Sequence, residues 1–580
     1  MRRFISFFIC LFIFVGLSAQ EKEIRIKILE TTDIHGNYFP YDFIDEKPGR
    51  GSLARVYTYL KQEREKYGNR LLMLDNGDIL QGQPSAYYYN YVDTISKHLC
   101  PRILNYMGYN AGTVGNHDIE TGSPVYDRIV AQSNFPWLAA NAIFDEGKGS
   151  GSYFKPYTLF EIEGVRIAIL GITTPGISTW LPKSLWQDMH FEDAQKTAAQ
   201  WVPILKNKEK ADIIIGLFHL GMNGNILANG LNEGHGYNIA REIPDLDIVF
   251  IGHDHRDANQ KIFNQHGKQV IIVNAGPHGN KVGDVELTIK MNDGKITEKS
   301  ASGKLVDMAD YKPDAEFMSK FKPDFDAVKA FVSEKIGNAT ESLRSREAYF
   351  GPSAFVDLIH RVQLDLTGAD ISFAAPLSYD TKIEKGDLFV SDMFKLYKYE
   401  NFLYTMTLSG QEIKDFLESC YAIWVNQMSN SNDQLFLLKK NESGRSQFVY
   451  PTYNFDSAAG ISYAVDVTKP AGQRIIIGKT LINGKTFDLN QKYNVAVNSY
   501  RGNGGGGHLT EGAGISVNNL PTRIVNSTSA DLRYYMMEWI KKTQTIQPII
   551  ISDWKFVPER LVKPAIERDY QLLFGDKISP

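Results

Sequence analysis

Between residues 24 and 300 the chain repeats one pattern, in which a short apolar run is followed by a polar loop and then by a stretch of helical periodicity. Each run has the length of a buried strand. Strands that alternate with helices predict a layered α/β domain, in which strand ends meet along one rim. The predicted strands are residues 24–30, 71–75, 111–114, 165–172, 213–218, 248–251 and 270–273.

Five of these runs lead directly into motifs rich in metal-ligand side chains. Carboxylate, amide and imidazole ligands together suit borderline divalent ions such as Zn²⁺ or Mn²⁺. Seven ligands are too many for one tetrahedral site, and they suit two metals that share a carboxylate, an arrangement that catalyses phosphoryl displacement. The motifs are T-T-D-I-H-G-N (31–37), D-N-G-D (75–78), G-N-H-D (115–118), F-H-L-G (218–221) and G-H-D-H (252–255). The predicted ligands are Asp33, His35, Asp78, Asn116, His219, His253 and His255, with His117 beside them.

Taken singly, D-I-H is weak evidence, G-N-H-D is stronger because Gly115 permits a tight loop, and G-H-D-H is moderately specific. The alternative is a set of separately satisfied polar residues. Their common position after strands favours the metal site. The net charge of −4 at pH 7 leaves no basic excess to hold polymeric DNA or RNA. A small anionic substrate is compatible with this charge, because bound metals supply positive charge locally.

The N-terminus has the features of a secretory signal over residues 1–19. Arg2 and Arg3 precede an apolar run, and small residues stand before Gln20. The run is shorter than the ~20 residues that a membrane-spanning helix needs. We therefore expect an exported protein, periplasmic or secreted, that is not held in a membrane after cleavage; the alternative is a retained anchor.

The chain of 580 residues is long enough for two domains. Residues 306–338 have apolar spacing of three and four, which predicts helices with a break at Pro323. We interpret this stretch as a helical linker between an N-terminal domain, 20–305, and a C-terminal domain, 339–580. Helices are also predicted over 354–367 and 411–420. The remaining cysteines, Cys100 and Cys420, are expected to be buried thiols.

Together the motifs resemble the calcineurin-like metallophosphoesterases, and the C-terminal domain resembles that of the secreted 5′-nucleotidase group. Four segments look closer to its 2′,3′-cyclic-nucleotide 2′-phosphodiesterase/3′-nucleotidase branch. The 5′-nucleotidase branch typically has an N-G-G-I-R segment whose arginine binds the 5′-phosphate, and here A-A-P-L-S-Y-D stands at that place without an arginine. The four segments are D-N-G-D-I-L-Q-G (75–82), A-A-P-L (374–377), Y-N-F-D (453–456) and N-S-Y-R-G (498–502).

The resemblance implies a four-layer α/β/β/α sandwich that holds two divalent ions such as Mn, Zn or Co, followed by an α/β nucleotide-binding domain. It implies that Asp33, His35 and His255 hold one metal, that Asn116, His219 and His253 hold the other, and that Asp78 bridges them. His117 would stabilise charge on the phosphoryl group, oriented by either Glu120 or Asp118. Tyr453 and Tyr500 would stack on the base, with Asn454 and Asp456 as candidates for contacts with base or ribose.

Other polar residues are interpreted as structural. His235 and His278 stand on glycine loops near the predicted rim and are interpreted as solvated loop histidines, with a place in the pocket lining as the alternative, and the same two alternatives apply to His508. Arg501 is interpreted as an exposed arginine, with a phosphate contact as the alternative. The expected function is hydrolysis of 2′,3′-cyclic nucleotides to 3′-nucleotides and then to nucleosides, by a monomer that binds a small nucleotide. The alternatives are a 5′-nucleotidase or UDP-sugar hydrolase, and a non-catalytic nucleotide-binding surface protein.

Overall fold

The structure is a computed structural model that describes residues 21–575, with the exception of residues 228, 442 and 483. The predicted signal segment 1–19 lies outside the described residues. The described chain forms an N-terminal α/β domain, a pair of connecting helices and a C-terminal α/β domain.

The first sheet of the N-terminal domain has six strands. Four of them run parallel, and two long antiparallel strands extend one edge. In spatial order they are Lys295–Asp307, Lys281–Asn292, Glu21–Thr31, Leu71–Asp75, Ala111–Thr113 and Trp137–Leu138.

The second sheet also has six strands, with a parallel centre and one antiparallel strand at each edge. All seven strands predicted from the sequence are confirmed in the two sheets, with ends that differ by at most three residues. In spatial order the strands of the second sheet are Ala258–Phe263, Gln269–Asn274, Ile248–Phe250, Ile213–His219, Val165–Thr173 and Tyr157–Ile162.

Side-chain alternation along each strand builds the layers. Ile167 and Ile169 belong to the apolar core between the two sheets, whereas Leu170 on the opposite face packs under the outer helices. Helices cover both outer faces, which confirms the four-layer α/β/β/α arrangement. The helices are Leu53–Tyr67, Leu99–Met107 and Ser123–Gln132 over the first sheet, and Ala194–Asn207 and Gly236–Glu242 over the second.

Two connecting helices, Ala315–Lys320 and Lys322–Val332, follow the last strand of the N-terminal domain. Their apolar faces pack onto the core of that domain through Phe317, Phe321 and Val328. The break lies at Phe321, two residues before the predicted position. Pro323 stands instead in the first turn of the second helix, where its missing N–H costs no hydrogen bond.

The predicted domain limits at residues 305 and 338 both fall inside strands. Lys295–Asp307 continues the first sheet, and Lys335–Ala339 already pairs with Gly386–Phe389 of the C-terminal domain. Because these strand ends carry few apolar residues, local periodicity does not mark where they stop.

The C-terminal domain is built on a five-stranded mixed sheet. Helix Gly410–Trp424 packs on one face, and helices Ala354–Thr367 and Leu532–Thr543 pack on the other. Two three-stranded sheets and helices Val390–Leu396 and Glu559–Phe574 complete the domain. In spatial order the strands of the main sheet are Ser457–Ala459, Ile371–Ala374, Lys492–Asn498, Leu403–Ser409 and Ile524–Ser527. The first small sheet consists of Gly386–Phe389, Lys335–Ala339 and Thr545–Ile546. The second consists of Ile475–Leu481, Ile461–Asp466 and Asp553–Val557.

The two helices predicted in this domain are confirmed, and local capping explains their ends. Ala354–Thr367 begins after Ser353, whose hydroxyl accepts from the Val356 N–H, and it ends at Gly368 in the left-handed region. Gly410–Trp424 begins one residue before the predicted 411–420, where Ser409 and Glu412 form a reciprocal capping box, and it ends four residues later than predicted.

Cys100 and Cys420 are buried and unpaired, which confirms the prediction of two thiols. Over the range 21–575 that the structure describes, none of the helices combines the length and the apolar character needed to cross a bilayer.

Candidate active site

The polar motifs that follow the strands meet at one rim of the sandwich. Two groups of ligand-type side chains form there, and within each group the potential ligand atoms lie within 4.8 Å of one another. Each group combines residues from the first sheet with residues from the second. The first group is Asp33, His35 and His255, and the second is Asp78, His219 and His253.

Hydrogen bonds to backbone carbonyls orient two of the imidazoles. His35 Nδ1 lies 3.0 Å from the Gln81 carbonyl oxygen, and His219 Nδ1 lies 2.7 Å from that of Asn76. A ring nitrogen bound to a carbonyl carries the proton, so the other nitrogen of each ring presents a lone pair. His219 Nε2 accordingly lies 3.1 Å from Asp78 Oδ2, and His35 Nε2 lies 2.9 Å from His255 Nε2.

Unsatisfied buried atoms test whether these residues fit divalent ions. In the described part of the chain, Asn116 Oδ1 and His219 Nε2 are both buried without a hydrogen-bond partner. Leaving such atoms unpaired costs about 1–3 kcal/mol each unless another partner compensates. Both are electron-pair donors at the rim, so the donor set fits a metal ion.

Backbone strain is concentrated at the same place. Five of the seven predicted ligands have positive φ, a region that residues other than glycine rarely adopt. Such strain persists where the surrounding structure enforces it, and it is common at functional sites. The values are 51° for Asp33, 48° for His35, 57° for Asp78, 68° for His253 and 56° for His255.

Asp118 supports the loop that carries Asp78. Its carboxylate accepts the N–H groups of Asp78, Ile79 and Leu80 and of Gly115, at 2.8–3.0 Å. A Cβ at Gly115 would come within 2.1 Å of Asp78 Oδ1, so only glycine permits this close approach. Asp118 is therefore not the partner of His117, which corrects one of the two alternatives.

Glu120 is the carboxylate that meets His117. The distance from His117 Nδ1 to Glu120 Oε2 is 2.5 Å. Burial lowers the pKa of His117, but the charges of Asp78 and Glu120 and the hydrogen bond to Glu120 outweigh it and raise the pKa to about 9. His117 is therefore a cation at neutral pH, with its ring 5.5 Å from that of His35.

The two domains enclose a cleft of about 620 Å³ in front of these residues. The N-terminal domain contributes both ligand groups together with His117 and Glu120. The C-terminal domain contributes Tyr453 and Tyr500. This volume is in the range that holds a small-molecule ligand.

Tyr453 and Tyr500 line the cleft but do not form a parallel slot. Their ring centroids are 6.4 Å apart and the ring planes meet at 86°. Tyr399 stands next to Tyr453 in a similar edge-on contact at 6.1 Å. Because a planar base stacks face to face, one of the two rings must turn before both can stack on the same base. The stacking role stays a prediction.

Asp456 and Arg501 form a buried ion pair behind the cleft. Both side chains are 1% exposed, and Arg501 Nη2 lies 2.7 Å from Asp456 Oδ2. The prediction that Asp456 contacts base or ribose is therefore corrected, as is the interpretation of Arg501 as exposed. Asn454 Oδ1 accepts from Arg501 Nη1 at 3.1 Å and lies outside the cleft lining.

The discounted histidines have different positions. His278 is an exposed loop histidine, as predicted, and it also lines the cleft, with its ring 5.7 Å from that of His35. It follows strand Gln269–Asn274 as the other motifs follow theirs, and this signal could have identified it. His508 is buried between Ser419 Oγ and the Asn454 carbonyl oxygen, and His235 precedes helix Gly236–Glu242.

Sequence reasoning missed other residues of the cleft. Trp180 stacks on His253, with centroids 5.4 Å apart and planes at 19°. Glu233, Lys398 and Asn401 also line the space. None of them belongs to a motif with a chemical signature, so only the tertiary structure identifies them.

Comparisons with known proteins agree with this arrangement. Residues 26–257 match the family model described as calcineurin-like phosphoesterase, and residues 335–511 match that of the 5′-nucleotidase C-terminal domain.

Two curated relatives match along most of the chain. The trifunctional nucleotide phosphoesterase protein YfkN of Bacillus subtilis is 28% identical, over 92% of this chain but only 39% of that protein. A 2′,3′-cyclic-nucleotide 2′-phosphodiesterase/3′-nucleotidase of Haemophilus influenzae is 27% identical, over 94% of this chain and 89% of that protein. Among solved structures, a Staphylococcus aureus protein provisionally named a 5′-nucleotidase superposes with a TM-score of 0.75 at 22% identity, covering 92% of this chain and 100% of that chain, which supports the fold.

Proposed function

The chain belongs to the calcineurin-like phosphoesterases that carry a 5′-nucleotidase C-terminal domain, and on this basis we propose that it hydrolyses phosphate esters of nucleotides with two divalent metal ions. The observation that carries the proposal is a single cleft lined by both ligand groups, by the His117–Glu120 pair and by two tyrosines of the other domain. A phosphate ester of a nucleoside has both the anionic group and the aromatic base that such a cleft can bind.

The residues divide into those that hold metal and those that act on the substrate. Asp33, His35 and His255 would hold one ion, Asn116, His219 and His253 the other, and Asp78 both. Bound there, the ions supply positive charge for the phosphoryl oxygens and lower the pKa of water to form a nucleophile at neutral pH.

His117 then donates a hydrogen bond from Nε2 to a phosphoryl oxygen, where negative charge develops during displacement. Glu120 keeps Nδ1 protonated and fixes the orientation of the ring. Tyr453 and Tyr500 bind the base and thereby align the ester bond with the metal centre.

The proposed substrate is a ribonucleoside 2′,3′-cyclic phosphate, opened to the 3′-nucleotide and then hydrolysed to the nucleoside. Among the described residues that line the cleft there is no arginine, which is the residue expected to grip a 5′-phosphate. The Haemophilus influenzae relative is named for the cyclic and 3′ reactions. Both observations favour this assignment.

A 5′-nucleotidase is the second candidate, because residues 335–511 match a domain named for that activity. The two candidates share the metal centre and differ in where the nucleoside lies relative to it. A non-catalytic nucleotide-binding protein is disfavoured by the completeness of the ligand set.

The test compares product release from 2′,3′-cyclic AMP, 3′-AMP and 5′-AMP by the Mn²⁺-loaded protein. The proposal predicts hydrolysis of the first two, loss in Asp78→Ala and His117→Ala, and no loss in His190→Ala, an exposed histidine remote from the cleft. Hydrolysis of 5′-AMP alone would retain the metal centre and reject the substrate assignment. Inactivity of the metal-loaded protein towards all three would favour the non-catalytic alternative.

Export and monomeric state remain part of the proposal. Fractionation of expressing cells should find the protein, cleaved near Gln20, in the periplasm or the medium. Size-exclusion chromatography with light scattering should give the mass of one chain.

A further inference from the structure

The described lining of the cleft contains three acidic residues and one lysine. Of the described residues that line it, Lys398 is the only lysine or arginine, whereas Asp78, Glu120 and Glu233 are acidic. Among the described lining residues, Lys398 is thus the only basic residue other than the histidines.

Within the part of the chain that the structure describes, the Lys398 ammonium forms no ion pair with a carboxylate. Burial alone moves its pKa, downwards, and among the described residues no carboxylate charge opposes that effect. The contact that the structure does give its Nζ is the face of the Tyr399 ring, 5.9 Å away. A cation held without an acidic partner in a partly enclosed cleft is available to an anionic ligand.

Lys398 lines the same cleft as His35 and His255 of the first ligand group. His278 lies between them in the lining, with its ring 5.7 Å from that of His35 and 6.2 Å from that of His255. The cation therefore faces the cleft in which the phosphoryl group would bind.

The backbone at Lys398 is held by a fully buried arginine. We call residues 397–401 the strap. Arg533 Nε donates to the Tyr397 carbonyl oxygen at 3.0 Å, and its Nη2 donates to that of Lys398 at 2.6 Å. Arg533 is 0% exposed, and burying its guanidinium costs desolvation free energy that these hydrogen bonds to the strap partly offset.

The strap is also tied to the other domain. Glu400 Oε2 accepts from the Tyr91 hydroxyl at 3.1 Å, and Glu400 Oε1 lies 3.5 Å from Arg533 Nη1. The backbone that carries Lys398 is therefore held by both domains, and its exposed side chain lines the cleft between them.

We propose that Lys398 Nζ binds the phosphate oxygens of the substrate and favours monoester dianions over cyclic phosphodiester monoanions. This inference rests on the proposed function and adds a specificity residue to it. A monoester at neutral pH carries about twice the charge of a cyclic diester, so it gains more from a nearby ammonium. The group that would replace the missing arginine is thus a lysine from a different segment.

The test uses Lys398→Gln and Lys398→Arg, with Lys395→Gln as the matched control, since Lys395 pairs with Asp392 outside the cleft lining. With Mn²⁺-loaded protein, Lys398→Gln should raise KM for 3′-AMP by about 10- to 100-fold, the range of one charge-assisted hydrogen bond. The fold-increase in KM for 2′,3′-cyclic AMP should be less than about a third of the fold-increase for 3′-AMP. Lys398→Arg should bring the KM for 3′-AMP most of the way back to the wild-type value. Equal losses on both substrates, no loss, or the same loss in Lys395→Gln would overturn the proposal.

Inorganic phosphate separates this inference from the proposed function. Titration calorimetry of the Mn²⁺-loaded proteins should show weaker phosphate binding in Lys398→Gln by about tenfold, with an unchanged melting temperature. If the wild-type protein hydrolyses none of the nucleotides but Lys398→Gln still binds phosphate more weakly, the substrate assignment fails and the anion site stands. Phosphate affinity that is the same in both proteins, or absent in the wild type, would reject the anion site.

Discussion

Removing Arg501 should destabilise the C-terminal domain strongly, because it leaves a buried carboxylate without its partner. Arg501 and Asp456 are each 1% exposed and 2.7 Å apart. Burial raises the pKa of Asp456, and Arg501 opposes that rise. In Arg501→Met the Asp456 carboxyl must either stay charged without compensation or take up a proton, and breaking such a pair costs about 3–5 kcal/mol.

The arginine also holds together the two segments that carry the cleft tyrosines. Its Nη2 donates to the Tyr453 carbonyl oxygen at 2.6 Å, and its Nη1 donates to that of Gly505 at 2.7 Å. The variant removes the donor from the buried Gly505 carbonyl and from the part-buried Tyr453 carbonyl, which adds to the loss of stability. For a domain of this size, about 2–4 °C per kcal/mol gives a fall in melting temperature of about 6–20 °C.

Scanning calorimetry of the full chain would measure the transition of the C-terminal domain in Arg501→Met, Asp456→Leu and the double variant. Replacing both partners by apolar residues removes the unpaired charge, so the double variant should recover most of the stability that Arg501→Met loses. A melting temperature within about 2 °C of wild type for Arg501→Met, or additive losses in the double variant, would refute this reasoning.

Three further predictions follow from the cleft and its surroundings. Glu120→Gln should lower kcat by about 10- to 100-fold in steady-state assays, because the neutral amide no longer stabilises protonated His117. Tyr453→Ala and Tyr500→Ala should each raise KM for 3′-AMP by about tenfold, the value of a lost stacking contact, while turnover of p-nitrophenyl phosphate, which has no base, stays unchanged. Burial, opposed by Arg533, raises the pKa of Glu400 from 4.5 to about 8, so the folded protein binds this proton more tightly and loses stability as the pH rises through that window. Glu400→Gln has no carboxyl to titrate at this position. Between about pH 5 and 8 its melting temperature should therefore rise relative to that of wild type, because the wild type loses a stabilisation on the order of 4 kcal/mol.

Each prediction has a matched control. The exposed residues Glu146, Tyr450 and Glu384 allow the same substitutions away from the cleft. An unchanged kcat in Glu120→Gln would exclude the positioning role. Equal KM increases on 3′-AMP and p-nitrophenyl phosphate would exclude stacking, and a difference in melting temperature that does not vary with pH would exclude titration of Glu400.

Local sequence was sufficient for the strands of the N-terminal domain and for the meeting of the ligand-type residues at one rim, whereas the four-layer order was implied by the family resemblance. A buried strand is recognisable because its apolar side chains are contiguous, and the strand ends of a layered sheet converge whatever the loops between them. Asp33 and His255 could therefore be predicted to meet although more than two hundred residues separate them. The same rule, applied without exception, would also have included His278.

Pairing between polar side chains could not be read in this way. Asp118 and Glu120 both stand close to His117 in sequence, and only the direction of the short helix after Gly115 turns Glu120 to the imidazole and Asp118 to the Asp78 loop. The sequence suggested an exposed Arg501 and an Asp456 that contacts base or ribose, and only the fold shows that the two side chains are buried together.

The two halves of the chain thus differ in how far their sequence can be interpreted. Ligand-type residues of the N-terminal half can be recognised in the sequence, because metal binding requires particular side chains and these follow predicted strands. The substrate-facing residues of the other wall, Lys398 among them, are ordinary in type and lie on connecting segments. Their place in the cleft lining depends on long-range contacts, such as those of Arg533 with the strap. Burial and pairing are properties of the assembled chain, and for that reason the tertiary structure decided them.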